Sequence, residues 1–185
     1  KRDRYGPEGR GEQCTSADAA GFPIAPLLFG PDEVAAGSID HAIRFILPNA
    51  RMRAGVYVRP ATHAGGPQGP TTAVPYGARL RLKASYDLND IEDVNARVVA
   101  QAMKTYGIVL ADGGVIALTA QSDRFTTASW AALGIDTHSL NDLEVTDFEI
   151  VDTGDLIPLT YDCVRLRPIL LDGFELGTLD RWTTP

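Results

Sequence analysis

From His41 to Leu47 the chain alternates polar with apolar residues until Pro48, and Gly55-Val56-Tyr57-Val58 follows after a short turn, which predicts two strands. The clearest strand is Arg79-Leu80-Arg81-Leu82-Lys83-Ala84-Ser85, where strict alternation places the two arginines and Lys83 on one face and the leucines and Ala84 on the other. The period then changes. Val94, Val98, Ala102 and Tyr106 recur every four residues, Asp90 or Asp93 is available as N-cap and Gly107 stands at C′, so one amphipathic helix is predicted from Ile91 to Tyr106. Ile108-Val109-Leu110-Ala111 and Val115-Ile116-Ala117-Leu118 flank Asp112-Gly113-Gly114, a hairpin signal, and the second of these apolar runs is expected in the core. A short helix over Thr127 to Leu133 before Gly134, a helical turn around Ser139 to Leu143, and strands at Phe148-Glu149-Ile150-Val151 and Val164-Arg165-Leu166 complete the pattern.

Between these elements lie two proline- and glycine-rich stretches. Thr15 to Gly37 carries Pro23, Pro26 and Pro31, cannot sustain a long helix, and is expected to run as an ordered loop over the surface. Ala64 to Pro75 contains Gly65-Gly66-Pro67 and Gly69-Pro70, a loop of a length that is usually functional or disordered. With Gly 18 and Pro 12 in 185 residues, 44% of them hydrophobic, the expected architecture is mainly β. It is read as a β-sandwich or jelly-roll-like sheet with one amphipathic helix packed on it. Residues 15–170 are expected to form a single domain, with residues 1–14 a loop or truncated remnant and residues 171–185 a tail.

A formal charge of −7 with no opposing Lys/Arg stripe makes nucleic acid an unlikely partner on electrostatic grounds. Lys1-Arg2-Asp3-Arg4 and Arg51-Met52-Arg53 read as solvated surface. No run approaches the roughly 18–20 apolar residues that span a bilayer. The chain opens on a lysine followed by charges rather than on methionine, so it is expected to begin after any export signal and to lack an N-terminal region. Cys14 and Cys163 are too few for a zinc site and too far apart for a redox pair; they form one disulfide, or else two unpaired buried thiols.

Thr15–Gly21 (TSADAAG) with Pro23-Ile24, Asp32–Gly37 (DEVAAG), His41–Phe45 (HAIRF), Ala61-Thr62-His63, Arg79–Ser85, and Lys104–Gly107 followed by Leu110-Ala111-Asp112 occur in that order. Together they resemble a largely uncharacterised family of secreted bacterial proteins, over roughly residues 15 to 154. The resemblance implies export and an extracellular location, and it implies an N-terminal half that this chain does not include; it brings no established activity. Cys14 stands where that family's pattern usually has an aromatic. The ending Asp172-Gly173-Phe174-Glu175-Leu176-Gly177-Thr178-Leu179-Asp180-Arg181-Trp182 resembles the tails of exported bacterial proteins.

Candidate chemistry starts from histidine, the side chain that shuttles protons near neutral pH. His41 stands beside Asp40 at a strand start and His63 at the mouth of the Gly/Pro loop, while His138 lies in a polar turn. The candidate acid–base set is His41, His63 and Asp112, with Arg81, Lys83 and Tyr106 contacting an anionic or hydroxyl-rich ligand. Such a set suits a polysaccharide hydrolase or lyase. With 24 acidic residues in the chain, a carboxylate pair alone carries no weight. Metal-ligand spacing of the His-x-His or His-Glu-x-x-His kind, a Gly-x-Ser-x-Gly elbow, a P-loop and a dinucleotide fingerprint do not occur, so neither a metal nor a nucleotide cofactor is indicated. The alternative is a non-catalytic extracellular binding or structural module. It would bind glycan, the missing N-terminal region, or further copies of itself through unpaired strand edges.

Overall fold

The computed structural model describes residues 11–152 and 154–163. Among the described residues seven short strands form two mixed sheets, with three α-helices, so the fold is mainly β with some helix. The first sheet has the order β1 (Ile43–Leu47), β5 (Ile108–Gly113), β4 (Arg79–Leu82) and β6 (Phe148–Val151). The second has the order β3 (Val74–Tyr76), β2 (Met52–Tyr57) and β7 (Ile157–Pro158). Each sheet contains one parallel pair, β1 with β5 and β2 with β3, which departs from the all-antiparallel order of a jelly roll.

The sheets are joined at Gly77. Its neighbours accept across the junction, the Tyr76 carbonyl from Val58 N–H (2.9 Å) and the Ala78 carbonyl from Leu110 N–H (2.9 Å), while Gly77 N–H donates to the Leu110 carbonyl (3.0 Å). Gly77 has φ 86°, and a Cβ there would fall 2.0 Å from the Val58 carbonyl oxygen. Only glycine fits that passage. Around it Ile43, Tyr57, Tyr76, Leu82, Met103 and Leu110 are fully buried.

The alternation in Arg79–Leu82 is that of a strand with Leu82 inward and Arg81 outward. The long helix is α2 (Val94–Thr105), capped by Asp93, whose carboxylate accepts the Asn95 N–H (2.8 Å) and Ala96 N–H (3.4 Å). Its buried face overlaps the expected one in part, since Val98 and Tyr106 pack against the core at its margin. Ala96, Val99, Ala100 and Met103 are buried, as is Ala102, whereas Val94 is 63% exposed. A strict four-residue repeat drifts around a helix of 3.6 residues per turn, and the buried set follows the i, i+3, i+4, i+7 pattern instead. Helix α3 (Trp130–Leu133) lies within the expected segment, between Ser129 as N-cap and Gly134 at φ 70°. Backbone bonds from Asn141 to His138 and from Leu143 to Leu140 form the turn after it. A further short helix, α1 (Pro31–Ala36), starts at Pro31, in the stretch read as loop.

Two expectations fail, the second in part, for physical reasons. The predicted hairpin does not form, because β5 is already flanked by β1 and β4 and offers no edge. Residues 114–120 instead cross to the outer edge of β1, where Leu118 bridges Phe45 and Ile46 N–H donates to the Ala117 carbonyl (2.8 Å). Val115 and Ile116 are therefore 91% and 64% exposed rather than in the core. The loop after Cys14 runs over the surface only in its later part, at residues 23–26, and turns inward before that. Cys14, Asp18, Ala20 and Phe22 are buried, and Ala20 is held between Ala111 and Thr62 by backbone bonds of 2.9 Å each. Small residues permit this close approach, and the Asp18 carboxylate accepts the N–H groups of Ala20 (3.1 Å) and Phe22 (2.9 Å) that burial would otherwise orphan.

The Gly/Pro loop is ordered against β2 through Gly69, whose N–H donates to the Met52 carbonyl (2.6 Å) and whose carbonyl accepts from Ala54 (3.1 Å). Cys14 and Cys163 are disulfide-bonded, with Cα atoms 4.4 Å apart. The strand expected at 164–166, the tail at 171–185 and most of the N-terminal segment lie outside the described residues. No helix among the described residues is long and apolar enough to cross a membrane.

Candidate functional site

Arg44 sits on β1 with 4% of its surface exposed, and it organises the centre of the molecule. Its guanidinium lies 2.9 Å from the Asp18 carboxylate and 3.4 Å from that of Asp112, and it donates to Thr119 Oγ1 (3.0 Å). Its Nε has no hydrogen-bond partner among the described residues. Burial pushes the Asp18 carboxyl above its ordinary range, against the lowering pull of the Phe22 N–H and of Arg44. Asp112, at the end of β5, is thus one arm of a buried ion cluster. It also accepts the N–H of Gly113 (2.8 Å).

Tyr76 stands between this cluster and a recess at the surface. A Cβ built on Gly65 or on Gly113 would lie 3.1 Å from its hydroxyl, so both glycines make room for it. Burial, with the charges of Asp112 and Asp18, raises the Tyr76 phenol well above its ordinary value. It is a neutral donor at physiological pH.

The recess has a volume of about 570 Å³ and is lined by Gln13, Thr15, His63, Gly65, Tyr161 and Cys163. His63 is 5% exposed. Its Nδ1 is 3.0 Å from the Ala19 carbonyl oxygen, an arrangement that requires Nδ1 to carry a proton, so that in the neutral ring Nε2 is the acceptor. The described residues form no hydrogen bond to Nε2. The Tyr161 ring meets the imidazole edge-to-face at 5.7 Å, is 59% exposed, and is anchored by its hydroxyl donating to the Gly65 carbonyl (3.1 Å). Gln13 closes the other side, donating to Tyr57 Oη (2.9 Å) and to the Pro158 carbonyl (3.0 Å) and accepting from Thr160 N–H (3.0 Å).

Gln13 (φ 62°) and Tyr161 (φ 63°) are the non-glycine residues with left-handed backbone among those described, and both line this recess. A side chain in that region costs about 1–2 kcal/mol. Strain of this kind gathers where a surrounding structure holds a binding or reacting group in place.

The residues singled out in the sequence fall into two places. His63 and Asp112 lie on either side of Tyr76, with no hydrogen bond joining them. His41 lies before β1, five positions from Ile46, the β1 partner of Asp112, which is about 16 Å along a strand. Its Nε2 is 3.1 Å from Glu33, whose other oxygen accepts the Gly30 N–H (2.8 Å) at the start of α1. Lys83 is three positions beyond Leu80, the partner of Ile108, so it stands about 23 Å from Asp112. It donates to the Thr146 carbonyl (2.6 Å), and Arg81 pairs with Glu149 (2.6 Å), both in the open. Tyr106 is half-buried before β5 at the same end, its carbonyl accepting from Arg79.

Asp18, Arg44, Tyr76, Gln13 and Tyr161 were not legible as site residues. Arg44 was a polar slot in an alternating strand, and Asp18 one acidic residue in a small-residue loop. Among the described residues no group of three or more His, Cys, Asp and Glu side chains is placed to hold a metal ion. No family model, curated protein or solved structure matches the chain.

Proposed function

We propose that this chain is an extracellular binding module for hydroxyl-rich ligands, glycans first among them, which it holds at the His63 recess. The observation that carries this reading is the coincidence, in one recess, of two strained residues, an exposed aromatic ring and an unpaired imidazole nitrogen on a buried histidine. A sugar ring presents an apolar C–H face, which stacks on an aromatic side chain, and a hydroxyl edge, which donates to an acceptor such as Nε2. Tyr161 supplies the first and His63 the second. The disulfide fits an oxidising compartment.

The hydrolase or lyase expected from the residue types is the weaker reading. Among the described residues none that lines the recess is a carboxylate, and a glycosidase needs two flanking the scissile bond. The cations that would neutralise a uronate stand at the far end of the first sheet, tied to Glu149 and Thr146. The test is affinity electrophoresis against a panel of polysaccharides, with the same mixtures assayed for reducing ends and unsaturated uronates. Retardation without product, lost in Tyr161→Ala, is the expected result. Product release abolished by His63→Gln would replace the binding reading with the catalytic one, and absence of retardation on every polysaccharide would remove glycans as ligands.

A further inference from the structure

A second cavity, independent of the His63 recess, has a volume of about 490 Å³ and opens between α2, α3 and the segment that crosses β1. Its walls are apolar: Phe29, Val99, Ile116, Leu118, Trp130 and Ile135. Its polar residues come from one turn, residues 136–141, so they form one side and not a ring. Cavities of this size take one small molecule with an apolar body and a few placed polar contacts.

The walls are fixed before any ligand arrives. Trp130 Nε1–H donates to the Gln121 carbonyl (2.9 Å), which satisfies the indole and leaves its ring to pack, and Phe29 meets that ring edge-to-face at 5.6 Å. Gln121 N–H donates to the Phe29 carbonyl (2.9 Å), and Asp32 on α1 accepts the N–H groups of Thr127 (3.2 Å) and Ala128 (2.7 Å). Asp136 stands exposed on the polar side. Its Oδ1 accepts the His138 N–H (2.7 Å) and the Ser139 hydroxyl (3.3 Å), while Oδ2 has no partner among the described residues. The His138 N–H bond also holds the Asp136 carboxyl below the ordinary carboxylate range, so it is an anion at neutral pH.

We propose that this cavity binds a small amine with an aromatic or alicyclic body, the body against Trp130 and Phe29 and the ammonium on Asp136. An anionic mouth on apolar walls selects a cationic head on an apolar body, and the indole face adds attraction for a cation held near it.

The test is titration with 3-phenylpropylamine, 3-phenylpropanol and 3-phenylpropionate, read by tryptophan fluorescence at pH 8. The Trp182→Phe background leaves Trp130 as the remaining one of the two tryptophans. The amine is expected to give a saturable change and to bind about fivefold tighter than the alcohol, as one exposed ion pair allows. Asp136→Asn should bring amine and alcohol to within about twofold. Ile116→Arg, at a wall position 64% exposed and so tolerant of change, should abolish the response. Equal binding of all three probes, tightest binding of the acid, a response that survives Ile116→Arg, or no saturable change would each overturn the proposal. So would a dimer on sizing that Ile116→Arg converts to monomer, since a second copy would then fill the cavity.

Discussion

The Arg44 guanidinium and the Asp18 carboxylate meet at 2.9 Å, with the arginine side chain 5% and the aspartate side chain 0% exposed. One comes from the first sheet and the other from the loop that follows Cys14, so the pair fixes that loop inside the molecule. A buried pair is costly to break from one side, because the remaining charge has no water to return to.

Asp18→Asn and Arg44→Met are therefore each expected to destabilise the fold by about 3–5 kcal/mol. The double variant should recover part of that loss. Urea unfolding of the three proteins measures it, and a double variant as unstable as the sum of the singles would show that the two groups do not act as a pair.

The phenols of Tyr57 and Tyr76 are both raised by burial, Tyr57 further by its hydrogen bond to Glu12 and Tyr76 by the nearby Asp112. A group whose folded value lies above its unfolded one contributes stability that is whole below the unfolded value and lost as pH rises through the folded one. With an unfolded tyrosine near pH 10, stability should fall as pH rises above about 10. Tyr76→Phe should make that fall shallower, which thermal melts across pH 9–12 would show as a smaller slope.

The Cys14–Cys163 bridge spans a sequence separation of 149 residues. Replacing both cysteines by serine should cost about 3–5 kcal/mol in the chain-entropy account. Because Cys163 lines the recess and Cys14 lies between its lining residues Gln13 and Thr15, glycan retention should weaken more than stability alone explains. Unfolding midpoints and affinity electrophoresis on the same variant separate the two effects.

Tyr161 holds a backbone conformation that glycine adopts without cost. Tyr161→Gly should keep the melting temperature or raise it, because relief of about 1 kcal/mol offsets the loss of a half-exposed ring. Glycan retention should disappear at the same time. A variant that melts lower and still binds would take Tyr161 out of the site.

What the sequence reveals here is local. Alternation at Arg79–Leu82 marks β4, and the four-residue period with Asp90 or Asp93 as cap marks α2, although it starts at Val94 and not at Ile91, because both depend on neighbours along the chain. The buried face of α2 is only partly read, because alanines carry a weak hydrophobic signal, and Ala96 and Ala100 are buried beside Val99 and Met103. The hairpin after β5 is a sound local reading defeated by topology, since both edges of β5 are taken by strands distant in sequence. The site is less legible still. His63 and Asp112 stand out by residue type, but the loop after Cys14 that supplies Asp18, and the left-handed turns at Gln13 and Tyr161, occur at residues that give no turn signal.

The measurement closest to the central claim is the imidazole nitrogen spectrum of His63, recorded by 15N NMR at neutral pH with and without a polysaccharide that retards the protein. A proton on Nδ1, a lone pair on Nε2, and a shift of the Nε2 resonance on ligand addition are the expected results. A proton on Nε2, or an Nε2 resonance unmoved by saturating ligand, would contradict the placement of the binding site at His63.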